Sequence, residues 1–173
     1  MSTSHITNGD SIYYTLPDVV NQMVGGSFMH WIAPHHLQGV NQDERYIVQL
    51  YEDASNYIAM FFDNAANTVT MRYRVGAINY EVTFTPDAWT WDDWHSVGGS
   101  WQAPNGYLKA YWDGVLVGTP ILLSSAISAT SATLYMGYND ATKQFIGRRD
   151  RFDLFDRQLP TSEFVRFHTE RFL

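Results

Sequence analysis

The acids, histidines and tryptophans are the side chains best placed to do chemistry here, and their spacing decides which chemistry is open to them. Retaining glycoside hydrolysis needs two carboxyl groups about 5–5.5 Å apart. Alternate positions of one strand supply such a pair, because side chains i and i+2 share a face. The acidic clusters are Asp43-Glu44, Glu52-Asp53 and Asp92-Asp93, adjacent pairs that diverge on a strand. Asp150, Asp153 and Asp156 are spaced by three, which alternates faces, and no Glu-x-Asp-x-Glu pattern occurs. Serine lacks a Gly-x-Ser-x-Gly elbow, and with no cysteine neither a thiolate nucleophile nor a thiolate metal site exists. His35-His36 sit side by side in a loop and point differently, a poor chelate. The expectation is a protein that is not an enzyme.

Recognition is better served. The stretch Trp89-Thr90-Trp91-Asp92-Asp93 sets two indole rings beside carboxylates. Exposed indoles stack on the C–H faces of sugars while carboxylates and amides meet the hydroxyls. Tyr138 and Asn139 are expected neighbours of this site. The alternative for Trp89 and Trp91 is to cap one end of a hydrophobic core.

Composition narrows the partners. Apolar residues make up 45% of the chain and aromatics 16%, with 11 Tyr, 10 Phe and 6 Trp, which favours strands with large buried contacts. Lys plus Arg total 11 against 18 Asp plus Glu, a net charge of −7 that repels a phosphate backbone, so no nucleic-acid partner is expected. The most basic run, Arg148-Arg149-Asp150-Arg151, is interrupted by an acid and reads as a solvated strand edge. No apolar run reaches membrane-spanning length, and Met1-Ser2-Thr3-Ser4-His5 has neither a basic segment nor an apolar core. Neither a signal peptide nor membrane insertion is expected; synthesis in the cytoplasm fits, with later incorporation into a virion left open.

The elements that must position these residues are strands. Leu108, Ala110 and Trp112 alternate with Tyr107, Lys109 and Tyr111, and Asp113-Gly114 then suits a type I′ turn, so residues 106–118 form a tight hairpin. Asp113 is assigned to turn chemistry. In residues 68–75 the odd positions are apolar, and in residues 78–84 the even ones. Each strand therefore has one dry and one wet face, with Arg72 and Arg74 facing Glu81 in a surface charge match of little energetic weight. Residues 46–51 and 57–63 are near-continuous apolar runs, a hairpin buried on both faces. Further strands are expected within residues 6–20, 27–34, 94–101, 133–138 and 145–155. Helical spacing appears at Pro160-Thr161-Ser162-Glu163-Phe164-Val165-Arg166-Phe167, with a Thr or Ser cap and an early Glu. About a dozen short strands without a linker or repeat predict a single domain over residues 1–173. Its class is all-β: a two-sheet antiparallel jelly-roll sandwich with a short C-terminal helix.

The order of these pieces resembles the LamG-like jelly roll of the concanavalin A-like lectin/glucanase superfamily, from about Asn8 to Phe167. The matching motifs are Asn8-Gly9 leading to Leu16-Pro17, Trp31-Ile32-Ala33-Pro34, Trp94-His95 before Gly98-Gly99, Tyr111-Trp112-Asp113-Gly114, Leu134-Tyr135-Met136-Gly137, and Gly147 through Arg157-Gln158-Leu159. Arg149 departs from the aliphatic residue the family carries before its Asp. Within this resemblance His95 is structural. The resemblance also implies a calcium site built from loop oxygens, with Asp92, Asp93, Asn139 and Asp140 as candidates; no other cofactor is required. The expected function is a non-catalytic recognition or structural module displayed on a larger assembly, such as a phage or virus particle, in decoration or adhesion. Carbohydrate or a protein surface is the expected partner, in a homo-oligomer or a larger particle. A free carbohydrate-binding lectin is the alternative, and a glycanase of the same fold the third.

Overall fold

The alternation in residues 68–75 sets the pattern of the sandwich: Val69, Met71 and Tyr73 are fully buried on one face, while Thr70, Arg72 and Arg74 take the other. The computed structural model describes residues 12–14 (backbone only), 23–34, 44–63, 66–86, 93–129, 131–137, 143, 145 and 147–170. Its strands in chain order are β1 (Ile12–Tyr14), β2 (Gly25–Pro34), β3 (Glu44–Asp53), β4 (Asn56–Asp63), β5 (Thr68–Val75) and β6 (Ile78–Phe84). There follow β7 (His95–Gln102), β8 (Tyr107–Trp112), β9 (Val115–Leu122), β10 (Thr133–Met136), β11 (Gly147–Phe155) and a C-terminal helix, Thr161–Glu170. A six-stranded antiparallel sheet runs β1-β10-β3-β4-β5-β6 and a five-stranded one β11-β2-β7-β8-β9. Their inner faces interlock around Leu50, Met60, Met71, Phe28, Trp101 and Leu108. This is the jelly-roll sandwich expected from the sequence.

The Asp113-Gly114 turn has φ of 49° and 77°, both positive as a type I′ turn demands. Glycine is required for a second reason, since a Cβ on Gly114 would stand 3.0 Å from Val165 Cα in the helix above. Asp113 does more than turn the chain. Its carboxylate accepts from Ser96 N–H at 2.9 Å and from His95 Nδ1 at 2.8 Å, and His95 stacks on Trp112 with centroids 4.7 Å apart.

The helix seals the outer face of the five-stranded sheet. Phe164 and Phe167 pack there with Met29, Trp31, Tyr111 and Leu159, and the Tyr111 and Phe164 rings stack with centroids 3.7 Å apart. Gly98 makes this approach feasible. A Cβ there would meet Phe164 Cε1 at 2.6 Å and Phe28 O at 2.9 Å, while one on Gly99 would meet Met71 Cε at 2.6 Å on the opposite face. Ser27 Oγ donates to Arg157 O at 2.9 Å and accepts from Leu159 N–H at 2.8 Å, fixing the chain where it enters the helix.

On β11 the Arg149 guanidinium is drawn inward, over the Phe145 ring at 5.1 Å and donating to Met136 O, and burial pushes its pKa down to about 10. Arginine thus does the covering that an aliphatic side chain does in the family pattern. Between Asp150 and Phe152 the register slips, which leaves Arg151 as a bulge. The bulge carbonyl is used: buried His30 donates to Arg151 O from Nδ1 at 3.2 Å. Burial first, and the Arg149 charge second, push the His30 pKa down to about 3, so the ring is neutral in the core.

Two outcomes are expected. Gly98→Val forces a side chain between Phe164 and the β2 backbone and should lower urea-unfolding stability by about 1–3 kcal/mol; an unchanged midpoint would refute the close approach. For His30 the unfolded chain, with a pKa of about 6.5, binds a proton that the folded chain refuses until about 3. Stability is therefore complete above that unfolded value and falls with pH below it, by about 1.4 kcal/mol per unit. Urea unfolding from pH 7 to 5 should show this slope less steep in His30→Met by that amount; identical slopes would exclude a buried neutral imidazole.

Candidate functional site

Of the residues singled out for recognition and calcium, Trp89, Trp91, Asp92, Tyr138, Asn139 and Asp140 lie outside the described residues. Asp93 is described and exposed, just before β7. The strand ends that flank these segments do converge. Val69 pairs with Phe84 in one sheet, while Ile32 pairs with His95 and Pro34 with Gly147 in the other. The Phe84 and Trp112 rings meet across the sheets with centroids 5.9 Å apart, so these ends belong to one pole of the sandwich. Among the described residues no group of three or more His, Asp or Glu is placed to hold a metal ion.

At this pole Ser96, His168 and Asp113 come together. Ser96 Oγ is 3.0 Å from His168 Nδ1, and Asp113 Oδ1 is 3.6 Å from the same nitrogen. A Ser-His-Asp relay places hydroxyl and carboxylate on opposite ring nitrogens. Here both address one, and Ser96 is only 4% exposed. The cluster fastens the helix to the hairpin turn, with His168 stacked on Trp31 at a centroid distance of 5.4 Å.

The richest polar and aromatic surface is the outer face of the six-stranded sheet. Strand registers arrange it in rows. One row reads Tyr46, Phe61, Thr70 and Thr83; the next Tyr135, Gln49, Ala59, Arg72 and Glu81; the third Tyr51, Tyr57, Arg74 and Asn79. Its β3–β4 half is aromatic and mostly buried, with Tyr46, Gln49, Tyr57, Ala59 and Phe61 covered and Tyr51 and Tyr135 partly exposed, and its β5–β6 half is polar. Arg72 joins the halves: its guanidinium lies 4.5 Å above the Phe61 ring, donates to Tyr57 Oη at 3.1 Å, and pairs with Glu81 at 2.6 Å and Glu44 at 3.3 Å. Lys143 reaches Glu44 at 3.5 Å, and Tyr46 donates its hydroxyl to the same carboxylate at 3.0 Å. Burial disfavours the Arg72 charge, but the bonds to Tyr57 and Glu81 outweigh it and raise the pKa above its ordinary range. Burial and the Glu44 charge likewise raise the Tyr46 hydroxyl.

The expected surface match of Arg72 and Arg74 with Glu81 is corrected by this geometry. Arg72 does pair with Glu81, yet only 15% of its side chain is exposed and it anchors a network. Arg74 stands opposite Asn79 instead. The near-continuous apolar runs of β3 and β4 hid this face. Its signal was chemical: Tyr57 and Phe61 alternate with Ile58, Met60 and Phe62, and the set without a tyrosine is the one that enters the main core. Glu44 and Glu81 are engaged by one guanidinium, an arrangement that fixes a polar surface. Arg72→Ala should lower stability by about 2 kcal/mol or more, because it strands two partly buried carboxylates. A loss in denaturant titration below about 1 kcal/mol, the scale of exposed pairs, would return it to the surface class.

With this geometry in hand, comparison with known proteins is informative. A laminin-G-type family model, described as the concanavalin A-like lectin/glucanases superfamily, matches residues 8–164. None of the curated proteins matches the chain by sequence. Similar solved structures include a native heptameric SAP-like pentraxin from Limulus polyphemus, at 17% identity and a TM-score of 0.63, covering 83% of this chain and 69% of that one. Domain 4 of an extracellular GH43 arabinanase from Geobacillus stearothermophilus, in complex with arabinotriose, is 16% identical with a TM-score of 0.68, covering 84% of this chain and 66% of that one. The botulinum neurotoxin serotype G binding domain is 15% identical with a TM-score of 0.73, covering 95% of this chain and 42% of that one. The chain thus spans about two fifths of the neurotoxin binding domain's length. At these identities the likeness is one of fold, a lectin-like sandwich. Together with the family match over residues 8–164, it places the chain in the concanavalin A-like lectin/glucanase superfamily.

Proposed function

We propose that this protein is a non-catalytic carbohydrate-recognition module whose binding surface is the outer face of the six-stranded sheet. The observation that carries the proposal is the layout of the accessible part of that face, where the partly exposed rings of Tyr51 and Tyr135 share rows with Arg72, Arg74, Asn79 and Glu81. Aromatic rings supply apolar faces for pyranose C–H groups, and fixed planar donors and acceptors select hydroxyls. The helix leaves this face alone, since it packs on the five-stranded sheet. Support also comes from a relative of the same fold whose structure holds arabinotriose. Catalysis is not part of the proposal, because Glu44 and Glu81 share one guanidinium.

The wider setting proposed for the module is display on a larger assembly, such as a virion, where glycan recognition serves adhesion. The Trp89–Trp91 segment and a calcium ion held by Asp92, Asp93, Asn139 and Asp140 belong to the proposal as a second site.

A glycan array followed by calorimetry tests it. Tyr51→Ala should weaken the best ligand by about tenfold, the scale of one lost aromatic contact. Trp89→Ala and EDTA should leave that ligand unaffected. Loss on Trp89→Ala alone would move the site to the Trp89–Trp91 segment, and silence across the array would remove the carbohydrate function. Turnover of any polysaccharide that stops on changing one carboxylate would make the protein a glycanase.

A further inference from the structure

We infer that the sheet face selects saccharides carrying an acidic group, and that the Arg74 guanidinium receives that group. The inference rests on the carbohydrate reading of this face and names the ligand class within it.

Arg72 and Arg74 project from the same face of β5, yet their surroundings differ. Arg72 has Glu81, Glu44 and the Tyr57 hydroxyl. Arg74 has no carboxylate within ion-pair reach among the described residues, and its Nε is buried without a hydrogen-bond partner. Its cross-strand neighbours are Tyr57, whose ring centroid is 6.0 Å from the guanidinium carbon, and Asn79. Acids are plentiful, 18 against 11 basic residues, so a guanidinium left without one is a matter of placement. An aspartate at position 79 would have paired it; asparagine stands there and leaves the charge open.

A partly exposed guanidinium offers a planar fork of N–H donors that matches a carboxylate or sulfate oxygen pair. Along the row, buried Tyr57 lies beside it and the partly exposed ring of Tyr51 follows. At a strand spacing of about 4.8 Å the row from Tyr51 to Asn79 spans roughly 14 Å, room for a short oligosaccharide with its acidic group over Arg74. The carboxylates of this face do not oppose an anion strongly at Arg74, because Arg72 neutralises Glu44 and Glu81 in part, Lys143 adds to the screening of Glu44, and Asp63 stands six residues along β4 from Tyr57.

Binding of oligogalacturonate, of its methyl ester, of a sulfated oligosaccharide and of a neutral glycan panel should be measured by calorimetry at low and moderate salt. Methyl esterification removes the charge and keeps the sugar. The expected result is at least tenfold tighter binding of the acid than of its ester, weakening with salt, and lost in Arg74→Gln. Asn79→Asp is the companion variant: it lies at an exposed position, supplies Arg74 with an internal carboxylate and should abolish the acid preference without loss of fold by circular dichroism. Stronger Arg74-dependent binding of the sulfated sugar supports the same site and identifies sulfate as the group it prefers. Equal affinity for acid and ester, or an acid preference untouched by both variants, overturns the inference and leaves neutral-glycan binding standing. Silence from every saccharide, neutral ones included, defeats the carbohydrate reading itself.

Discussion

Two consecutive glycines in the middle of β7 set the thickness of the molecule. At Gly98 a helical phenylalanine occupies the place where a side chain would begin, and at Gly99 a methionine from the facing sheet does the same. Three layers therefore meet at one peptide, and dispersion contacts on both sides depend on the missing Cβ atoms. Once the helix is seated there, held at its start by Ser27 and at its other end by His168 and the hairpin turn, the five-stranded sheet has lost its outer face to protein. The outer face of the six-stranded sheet stays clear of the helix.

That division explains the contrast between two arginines of one strand. Arg72 is locked by four partners and acts as a strut across the face, joining its aromatic half to its ionic half. Arg74 is two residues further along, with the same orientation and none of the same compensation. The two charges differ in the company they keep, and sequence alone lists both as polar positions of an alternating strand.

Much of the architecture was legible because local chemistry and global packing agree. The Asp113-Gly114 dipeptide can turn in only a few ways, and the clean alternation of residues 68–75 has one packing solution. The end helix announced itself by the spacing of Phe164 and Phe167. The face of β3 and β4 was not legible in the same way. When both faces of a strand are mostly covered, hydrophobicity stops distinguishing inside from outside, and only the difference between tyrosine and isoleucine remains. His30 reads as one more member of an apolar strand; its neutrality follows from a bulge carbonyl on a strand more than a hundred positions away. The tryptophans of residues 89 and 91 were the most visible recognition signal in the chain, while the surface that the described residues assemble is made of tyrosine and arginine.

Strands β3 to β6 follow one another in the chain, and apart from the bulges of β3 inward and outward residues alternate along them. The core and the presented surface are thus written on interleaved letters of the same stretch, residues 44–84. Substitution at one set of letters leaves the other set in place. A chain built this way can change its outward letters while keeping its interior, so a shared shape outlasts a shared sequence. Relatives at 15–17% identity that superpose over more than four fifths of this chain are what such an encoding leaves behind.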